Sequence, residues 1–161
     1  EADSTKGNFL IEGPTALIFS RQNLPFQVRN EAQIQNVAKG GYVLAEEKGE
    51  LKAIIIATGS EVSLAMEAHA QLDGVRVVSM PCAEEFVKQD AAYGEAVLPA
   101  GIRARVAVEA AHVDYWWKVV GLDGKVNGMT TYGESAPAKD LFEFFGITTD
   151  AVVAAVKELT A

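Results

Sequence analysis

The chain has 161 residues, of which 49% are hydrophobic and 22% charged, and its net charge at pH 7 is −8. This length and composition suit one well-buried soluble α/β domain with a tail. An acidic chain without a basic cluster matches nucleic acid poorly, and its apolar runs are far shorter than the ~20 residues that cross a bilayer, so we expect neither a nucleic-acid nor a membrane partner. The only cysteine, Cys82, cannot form an intrachain disulfide. With no secretory signal at the polar start, we expect a cytoplasmic protein.

The first 39 residues predict a single regular element. Thr15 to Ser20 has the composition of a strand, and the chain must leave that sheet before Pro25, because proline disfavours a helical conformation in the residue before it. Residues 26–39 are polar and predict a linker. One strand ahead of a linker is unusual for a complete protein, so we expect residues 1–25 to be the tail and last strand of a preceding domain.

The strongest pattern is a strand, a helix and a second strand between residues 51 and 81. Ala53 to Ala57 is a short, continuous apolar run, as a strand buried on both faces of a parallel sheet requires. Gly59 and Ser60 predict a turn in which Ser60 caps the following helix, with Glu61 placing a negative charge near the positive helix end. The residues of the helix that face the sheet share a helical spacing: Val62, Ala65, Met66, His69 and Leu72. A strand from Val75 completes a right-handed βαβ unit.

The remaining elements extend this unit. Further strands are predicted at Tyr42–Ala45, Arg105–Val108 and Val126–Met129, with Tyr42–Ala45 as the antiparallel member. Short helices are predicted within residues 82–102, over 114–120, after a cap and early proline at residues 135–137, and after a cap at Thr149 or Asp150. We therefore expect residues 40–161 to form one α/β domain: a mixed, mostly parallel sheet with helices on both faces, in a Rossmann-like three-layer arrangement.

Ligands of such folds bind beyond the carboxyl ends of the strands. One candidate there is an anion at Gly59 and Ser60, although the glycine-rich phosphate motifs are absent and a helix cap explains the turn as well. Another is the group of Glu109, His112 and Asp114, which could hold a metal or exchange protons, or could be a solvent-facing loop.

The other chemically active residues have simpler explanations. His69 lies on an apolar helix face, as a core or interface histidine would, and Cys82 has no basic neighbour in the sequence to lower its pKa. Residues 133–137 begin like a nucleophile elbow but lack its closing glycine, and packing is the default role of Trp116 and Trp117. We therefore predict no catalytic residues in this chain. Arg21, at the end of a strand, suits bidentate binding of a phosphate, although an ordinary surface arginine has the same pattern.

Five blocks, in order and spacing, closely resemble the C-terminal part of bacterial-type transketolases from about Gly13 to the end of the chain. They are SRQNLP (Ser20–Pro25), IATGSEVSLA (Ile56–Ala65), VVSMP (Val77–Pro81), KQDAAYGEAVLP (Lys88–Pro99) and MTTYGESAPAKDLFEFFG (Met129–Gly146).

This resemblance implies a thiamine-diphosphate enzyme that transfers a two-carbon ketol unit between sugar phosphates in the pentose phosphate pathway. It also implies a homodimer of three-domain chains that binds thiamine diphosphate and a divalent cation (Mg or Ca) through residues outside this chain. Arg21 matches the family arginine that binds the substrate phosphate. The expected layout is therefore the end of the middle domain (1–25), a linker (26–39) and the C-terminal domain (40–161), with the fragment alone inactive. The alternative is a stand-alone ligand-binding or regulatory α/β module that uses the crevice at the strand ends.

Overall fold

The computed structural model describes residues 14, 16, 18–20 and 22–161 of the chain. Arg21 and residues 15 and 17 of the predicted first strand lie outside the described residues. The described residues of that predicted strand, Ala16 and residues 18–20, are not in a strand, and the Ile18 side chain is 94% exposed. Since a strand exists through hydrogen bonds to a neighbouring strand, the assignment of residues 1–25 to a preceding domain stays a prediction.

The described part of the chain contains one five-stranded sheet, in the order β1-β3-β2-β4-β5. Only β1 is antiparallel to its neighbour, and the other pairs are parallel. This confirms the predicted fold class and the predicted antiparallel strand. The strands are β1 (Tyr42–Ala45), β2 (Ala53–Ala57), β3 (Val75–Ser79), β4 (Arg105–His112) and β5 (Lys125–Met129).

Seven α-helices accompany the sheet in the described residues. They are α1 (Glu31–Asn36), α2 (Val62–His69), α3 (Ala83–Phe86), α4 (Ala91–Val97), α5 (Trp117–Val120), α6 (Ala138–Phe144) and α7 (Thr149–Leu159). Short 3-10 helices precede α2 and α5, at Gly59–Glu61 and Val113–Tyr115. None of these helices is long and apolar enough to cross a membrane.

Strand β2 lies at the centre of two apolar cores. All five of its side chains are fully buried. Because successive side chains point to opposite faces, Ile55 packs with α2 and α7 on one face, while Ile54 and Ile56 pack with α3, α4 and α5 on the other. Each buried isoleucine contributes about 1.5–3 kcal/mol through burial, so the two cores stabilise a three-layer domain.

The predicted linker over residues 26–39 contains a helix that the polar sequence did not predict. Asn30 and Gln33 form a capping box that starts α1. The side-chain amide of Gln33 donates to the carbonyl oxygens of Val43 (3.0 Å) and Leu44 (2.9 Å) on the edge strand β1. Arg29 donates to the hydroxyl of the buried Tyr42 at 2.5 Å. This segment is therefore fixed to the sheet edge.

Three predicted helix caps differ from the structure. Helix α2 has no side-chain cap: the 3-10 helix Gly59–Glu61 leads into it, and the Ser60 hydroxyl donates to Glu61. Helix α6 follows Pro137 and also lacks a side-chain cap. Helix α7 is capped by Thr148, whose hydroxyl accepts from the N–H of Ala151, one residue before the predicted cap.

The topology places one crevice at the centre of the sheet. Strands β2 and β4 are parallel neighbours. The chain leaves β2 toward β3 on one side and leaves β4 toward β5 on the other. Ligands of open α/β sheets bind at such a switch point. We call the region formed by residues 58–61 and 109–112 the switch-point crevice.

Candidate functional site

The centre of the switch-point crevice holds a buried carboxylate. The Glu61 side chain follows β2 and the residue is only 4% exposed. Its Oε1 accepts a hydrogen bond from the Ser60 hydroxyl at 2.6 Å. The backbone N–H groups of Glu61 and of Ala110 in β4 also favour its charged form, and the Glu61 N–H itself donates to the carbonyl oxygen of Thr58 at 3.2 Å. One side chain therefore joins the ends of the two central strands.

The environment changes the protonation of this group. Burial raises the pKa of Glu61 above its ordinary value, and the negative charge of Glu109 adds to the rise. The hydrogen bonds from Ser60 and from the two backbone N–H groups oppose this rise, because they stabilise the charged form, but the net pKa stays raised. The sequence predicted a negative charge from Glu61 near the positive helix end, and the structure adds that this side chain is buried in the crevice.

The structure does not assemble Glu109, His112 and Asp114 into one group. Glu109 Oε2 accepts from the indole N–H of the buried Trp116 at 2.6 Å. His112 Nδ1 lies 3.4 Å from the Asp114 carboxylate, and both side chains are more than half exposed. In the described part of the chain, no three His, Cys, Asp or Glu side chains are close enough to hold a metal ion.

A second polar cluster joins helix α3 to the 3-10 helix before α5, two elements that the sequence did not connect. The hydroxyl of Tyr115 donates to Glu84 Oε1 at 2.5 Å, and Lys118 Nζ lies 4.0 Å from the centre of the Tyr115 ring. Burial and this hydrogen bond raise the pKa of Tyr115, while the same hydrogen bond lowers that of Glu84. Cys82 lies beside the Glu84 carboxylate, with Sγ 3.8 Å from Oε2. A thiol next to a negative charge is a poor nucleophile.

The remaining candidates have structural roles. His69 Nε2 lies 3.0 Å from the carbonyl oxygen of Glu46 and ties α2 to the turn after β1, as expected of an interface histidine. Trp116 is 2% exposed and Trp117 44%, so the pair does not form an aromatic platform. Residues 133–137 form an exposed stretch before α6, and no nucleophile elbow is present there.

An open cleft of about 630 Å³ lies between α2 and the α6–α7 region. Leu64 and Phe142 provide apolar lining, and Glu67 and Thr149 provide polar lining. The Thr149 hydroxyl donates to Glu67 at 2.7 Å, so these two polar groups already satisfy each other. Gln22 also lines the cleft, which places the chain immediately after Arg21 there. Arg21 itself lies outside the described residues.

Comparison with known proteins decides the family. The model of the transketolase-like C-terminal domain matches residues 40–148, more than half of the chain. The chain belongs to the transketolase family. It is 60% identical to transketolase 1 of Escherichia coli over 152 residues, and 57% identical to transketolase 2 of Aliivibrio fischeri over 154 residues. These matches cover 92% and 93% of this chain and 23% of each relative.

Solved transketolases share the fold. The structure from Leishmania mexicana matches with a TM-score of 0.71 at 44% identity, covering 79% of this chain and 19% of that one. A structure from Pichia stipitis matches with a TM-score of 0.75 at 33% identity, covering 87% of this chain and 20% of that one. The chain thus spans about a quarter of the length of its transketolase relatives and corresponds to their C-terminal part.

The described residues of this transketolase chain do not fit a resident metal. Its clustered acids are engaged with protein donors: Glu61 with Ser60, Glu84 with Tyr115, and Glu109 with Trp116. The part of the chain that the structure describes therefore offers no set of three free ligands for a metal ion.

Proposed function

We propose that this chain acts as the C-terminal part of a transketolase that transfers a two-carbon ketol unit between sugar phosphates in the pentose phosphate pathway. The observation that carries the proposal is the 60% identity to transketolase 1 of Escherichia coli over 92% of the chain. The whole enzyme is a cytoplasmic homodimer that binds thiamine diphosphate and Mg or Ca through residues outside this chain. Residues 1–25 are the end of its middle domain, residues 26–39 are the linker between the two domains, and residues 40–161 form its C-terminal domain.

A chimaera tests this proposal. The matching 152 residues of Escherichia coli transketolase 1 are replaced by those of this chain, and ketol transfer is assayed with phosphorylated donor and acceptor sugars. We expect activity within about tenfold of the parent, since identical packing contacts dominate at this level of identity. A folded chimaera that binds thiamine diphosphate but transfers no ketol group would contradict the proposal.

The isolated chain should neither bind thiamine diphosphate nor transfer ketol groups. Calorimetric titration of the chain with thiamine diphosphate and Mg²⁺ should give no binding heat. Micromolar binding would show that the chain contains a cofactor site and would contradict the proposal that thiamine diphosphate binds through residues outside this chain.

Arg21 is proposed to bind the terminal phosphate of the substrate. A guanidinium can hold a phosphate through two charge-assisted hydrogen bonds. This contact lies far from the bond that is broken, so it stabilises ground and transition states alike and acts mainly on KM. In the whole enzyme, Arg21→Ala should raise KM for phosphorylated donors roughly tenfold to a hundredfold, which corresponds to about 1.5–3 kcal/mol.

Two further variants show whether the effect of Arg21→Ala comes from a lost phosphate contact. Arg21→Lys should recover only part of the loss, because an ammonium lacks the planar fork. Arg103→Ala, which removes a largely exposed arginine paired with Asp123, is the matched control and should leave KM unchanged. If Arg21→Ala weakens phosphorylated and unphosphorylated donors equally, its role is structural.

The alternative function is a stand-alone α/β module that binds a ligand at the strand ends. The open cleft of about 630 Å³ is the observation in its favour, because its volume suits a small molecule. A saturable thermal shift of the isolated chain by a small metabolite, lost when Phe142→Ala alters the cleft lining, would favour this alternative.

A further inference from the structure

The switch-point crevice combines several features of an anion site. It lies where the carboxyl ends of the parallel strands β2 and β4 meet, and α2 begins there. Its hydrogen-bond donor is the Ser60 hydroxyl, and the backbone N–H groups of Glu61 and Ala110 also favour a negative charge there. Such donors at the start of a helix stabilise a negative charge.

The negative charge in this crevice is supplied by the protein itself. Glu61 and Ser79 are the polar or charged residues that are buried in the described part of the chain, and Glu61 is the ionisable one of the two. A buried carboxylate is costly unless it accepts hydrogen bonds, and here the Ser60 hydroxyl donates to it at 2.6 Å.

We propose that Glu61 is a built-in anion that fills the switch-point crevice, so that this domain holds no exchangeable ligand at the position where open α/β sheets usually bind one. The side chain takes the place of a bound carboxylate or phosphate and joins β2 to β4 across the crevice. The strand ends of the C-terminal domain then serve only to stabilise the fold. Any small molecule that the domain binds must bind at another surface. This inference does not depend on ketol transfer and can fail without affecting the proposed function.

The proposal predicts chemical rescue by small anions. Glu61→Ala removes the carboxylate but leaves the donors, so formate or acetate should enter and stabilise the variant. At ten times its dissociation constant, such an anion should raise the unfolding temperature by about 3–6 °C. The experiment follows thermal unfolding of the 161-residue chain in sodium formate and sodium acetate, with ionic strength held constant by sodium chloride.

Two variants act as controls. Glu67→Ala removes a carboxylate from the same helix, but an exposed one that pairs with Thr149, so formate should not affect it beyond the effect of chloride. Glu61→Gln keeps the volume and an acceptor oxygen in the crevice, so it should also be insensitive to formate. A Glu61→Ala variant that folds and ignores both anions would overturn the proposal.

A second measurement covers the case in which Glu61→Ala does not fold. The amide signals of Gly59, Ser60 and Ala110 in the unmodified chain are followed by NMR during titration with inorganic phosphate and acetate. No saturable change is expected, because the crevice is already full. Saturable shifts at these three amides would show an exchangeable anion site and overturn the proposal, whatever the variant does.

Discussion

Two stretches of this chain have the same kinds of apolar side chain and the opposite exposure. In β2, Ile54, Ile55 and Ile56 are fully buried between helices on both faces of the sheet. In the described residues of 18–28, which we call the N-terminal segment, Ile18 is 94% exposed and Phe26 78%. Apolar composition therefore does not decide burial here; the presence of packing partners does.

The comparison also separates stability from proposed function. The α/β domain buries its apolar groups and fills its central crevice with Glu61, so its described strands and helices form a core without help from elsewhere. The proposed phosphate ligand, Arg21, adjoins the N-terminal segment in the sequence. The segment itself presents several exposed apolar side chains, which is typical of a surface that contacts another protein region. In a whole transketolase we expect that region to be the rest of the chain.

The largest expected difference between the two stretches comes from one identical substitution in each. Ile55→Ala removes a side chain that is completely buried and should lower the free energy of unfolding by about 3–5 kcal/mol. Ile18→Ala changes a side chain that is already in water and should alter it by less than about 0.5 kcal/mol. Urea unfolding of the isolated chain measures both, and similar losses would contradict the exposure of the N-terminal segment.

A smaller loss is expected at Arg76, which joins three elements of the α/β domain. Its guanidinium binds Glu47 through two hydrogen bonds of 2.9 and 3.0 Å and donates to the carbonyl oxygen of Ala96 at 2.9 Å. Burial alone would raise the pKa of Glu47, but its hydrogen bonds, above all from Arg76, and the charge of Arg76 lower it overall.

Arg76→Ala leaves Glu47 largely buried without its partner, so the free energy of unfolding should fall by about 2–3 kcal/mol in urea unfolding. Lys88→Ala is the control, because it removes an exposed ion pair with Glu85. Its effect should be close to zero. An equally small effect of Arg76→Ala would mean that the turn after β1 is not anchored through this pair.

Gln33 tests where the α/β domain begins. Gln33→Ala removes both hydrogen bonds to the edge of β1 and half of the capping box, so unfolding should become about 1–2 kcal/mol easier. Gln35→Ala lies on the same helix at an exposed position and should have little effect. Equal effects of the two substitutions would show that α1 is a linker without a specific contact to the sheet.

The smallest effect concerns pH. Because the pKa of Glu61 is raised in the folded chain, the folded state holds this proton at pH values where the unfolded chain has lost it. The contribution of Glu61 to stability therefore falls as the pH rises from the ordinary value of 4.5 to the raised folded value. Glu61→Gln cannot titrate, so its stability relative to the unmodified chain should increase across this window.

Urea unfolding of both proteins at several pH values gives this difference directly, and other acids cancel in the subtraction. Glu109, whose charge acts on Glu61, remains in both proteins. A difference that stays constant with pH would mean that Glu61 titrates as an ordinary exposed carboxylate.

The sequence predicted the parts of the fold that depend on local pattern. The apolar run of β2 and the helical spacing from Val62 each specify an element through their own side chains. Helix α1 was missed because its residues are polar, although Asn30 followed by Gln33 is a capping-box signal. Strand β4 continues past the predicted end at Val108, because Glu109 and His112 can extend a ladder despite their polarity.

The candidate site was less predictable, because its contacts join residues that are distant in sequence. Ser60 is of a residue type that often caps helices. Only the fold reveals that its hydroxyl donates to the Glu61 carboxylate. The contact between Glu84 and Tyr115 spans thirty-one residues and depends on how β3 and β4 end. The role of Arg21 as a phosphate ligand was predicted from the family resemblance. The contacts among the described residues do not test this role.

Amide hydrogen exchange, measured on the isolated chain and on the whole enzyme, tests the contrast between the two stretches most directly. In the isolated chain, the amides of β2 should exchange only through global unfolding, whereas those of residues 22–28 should exchange almost as fast as in an unfolded peptide. In the whole transketolase, the β2 amides should be unchanged and the N-terminal segment should become protected. Strong protection of residues 22–28 in the isolated chain, or none in the whole enzyme, would contradict this account.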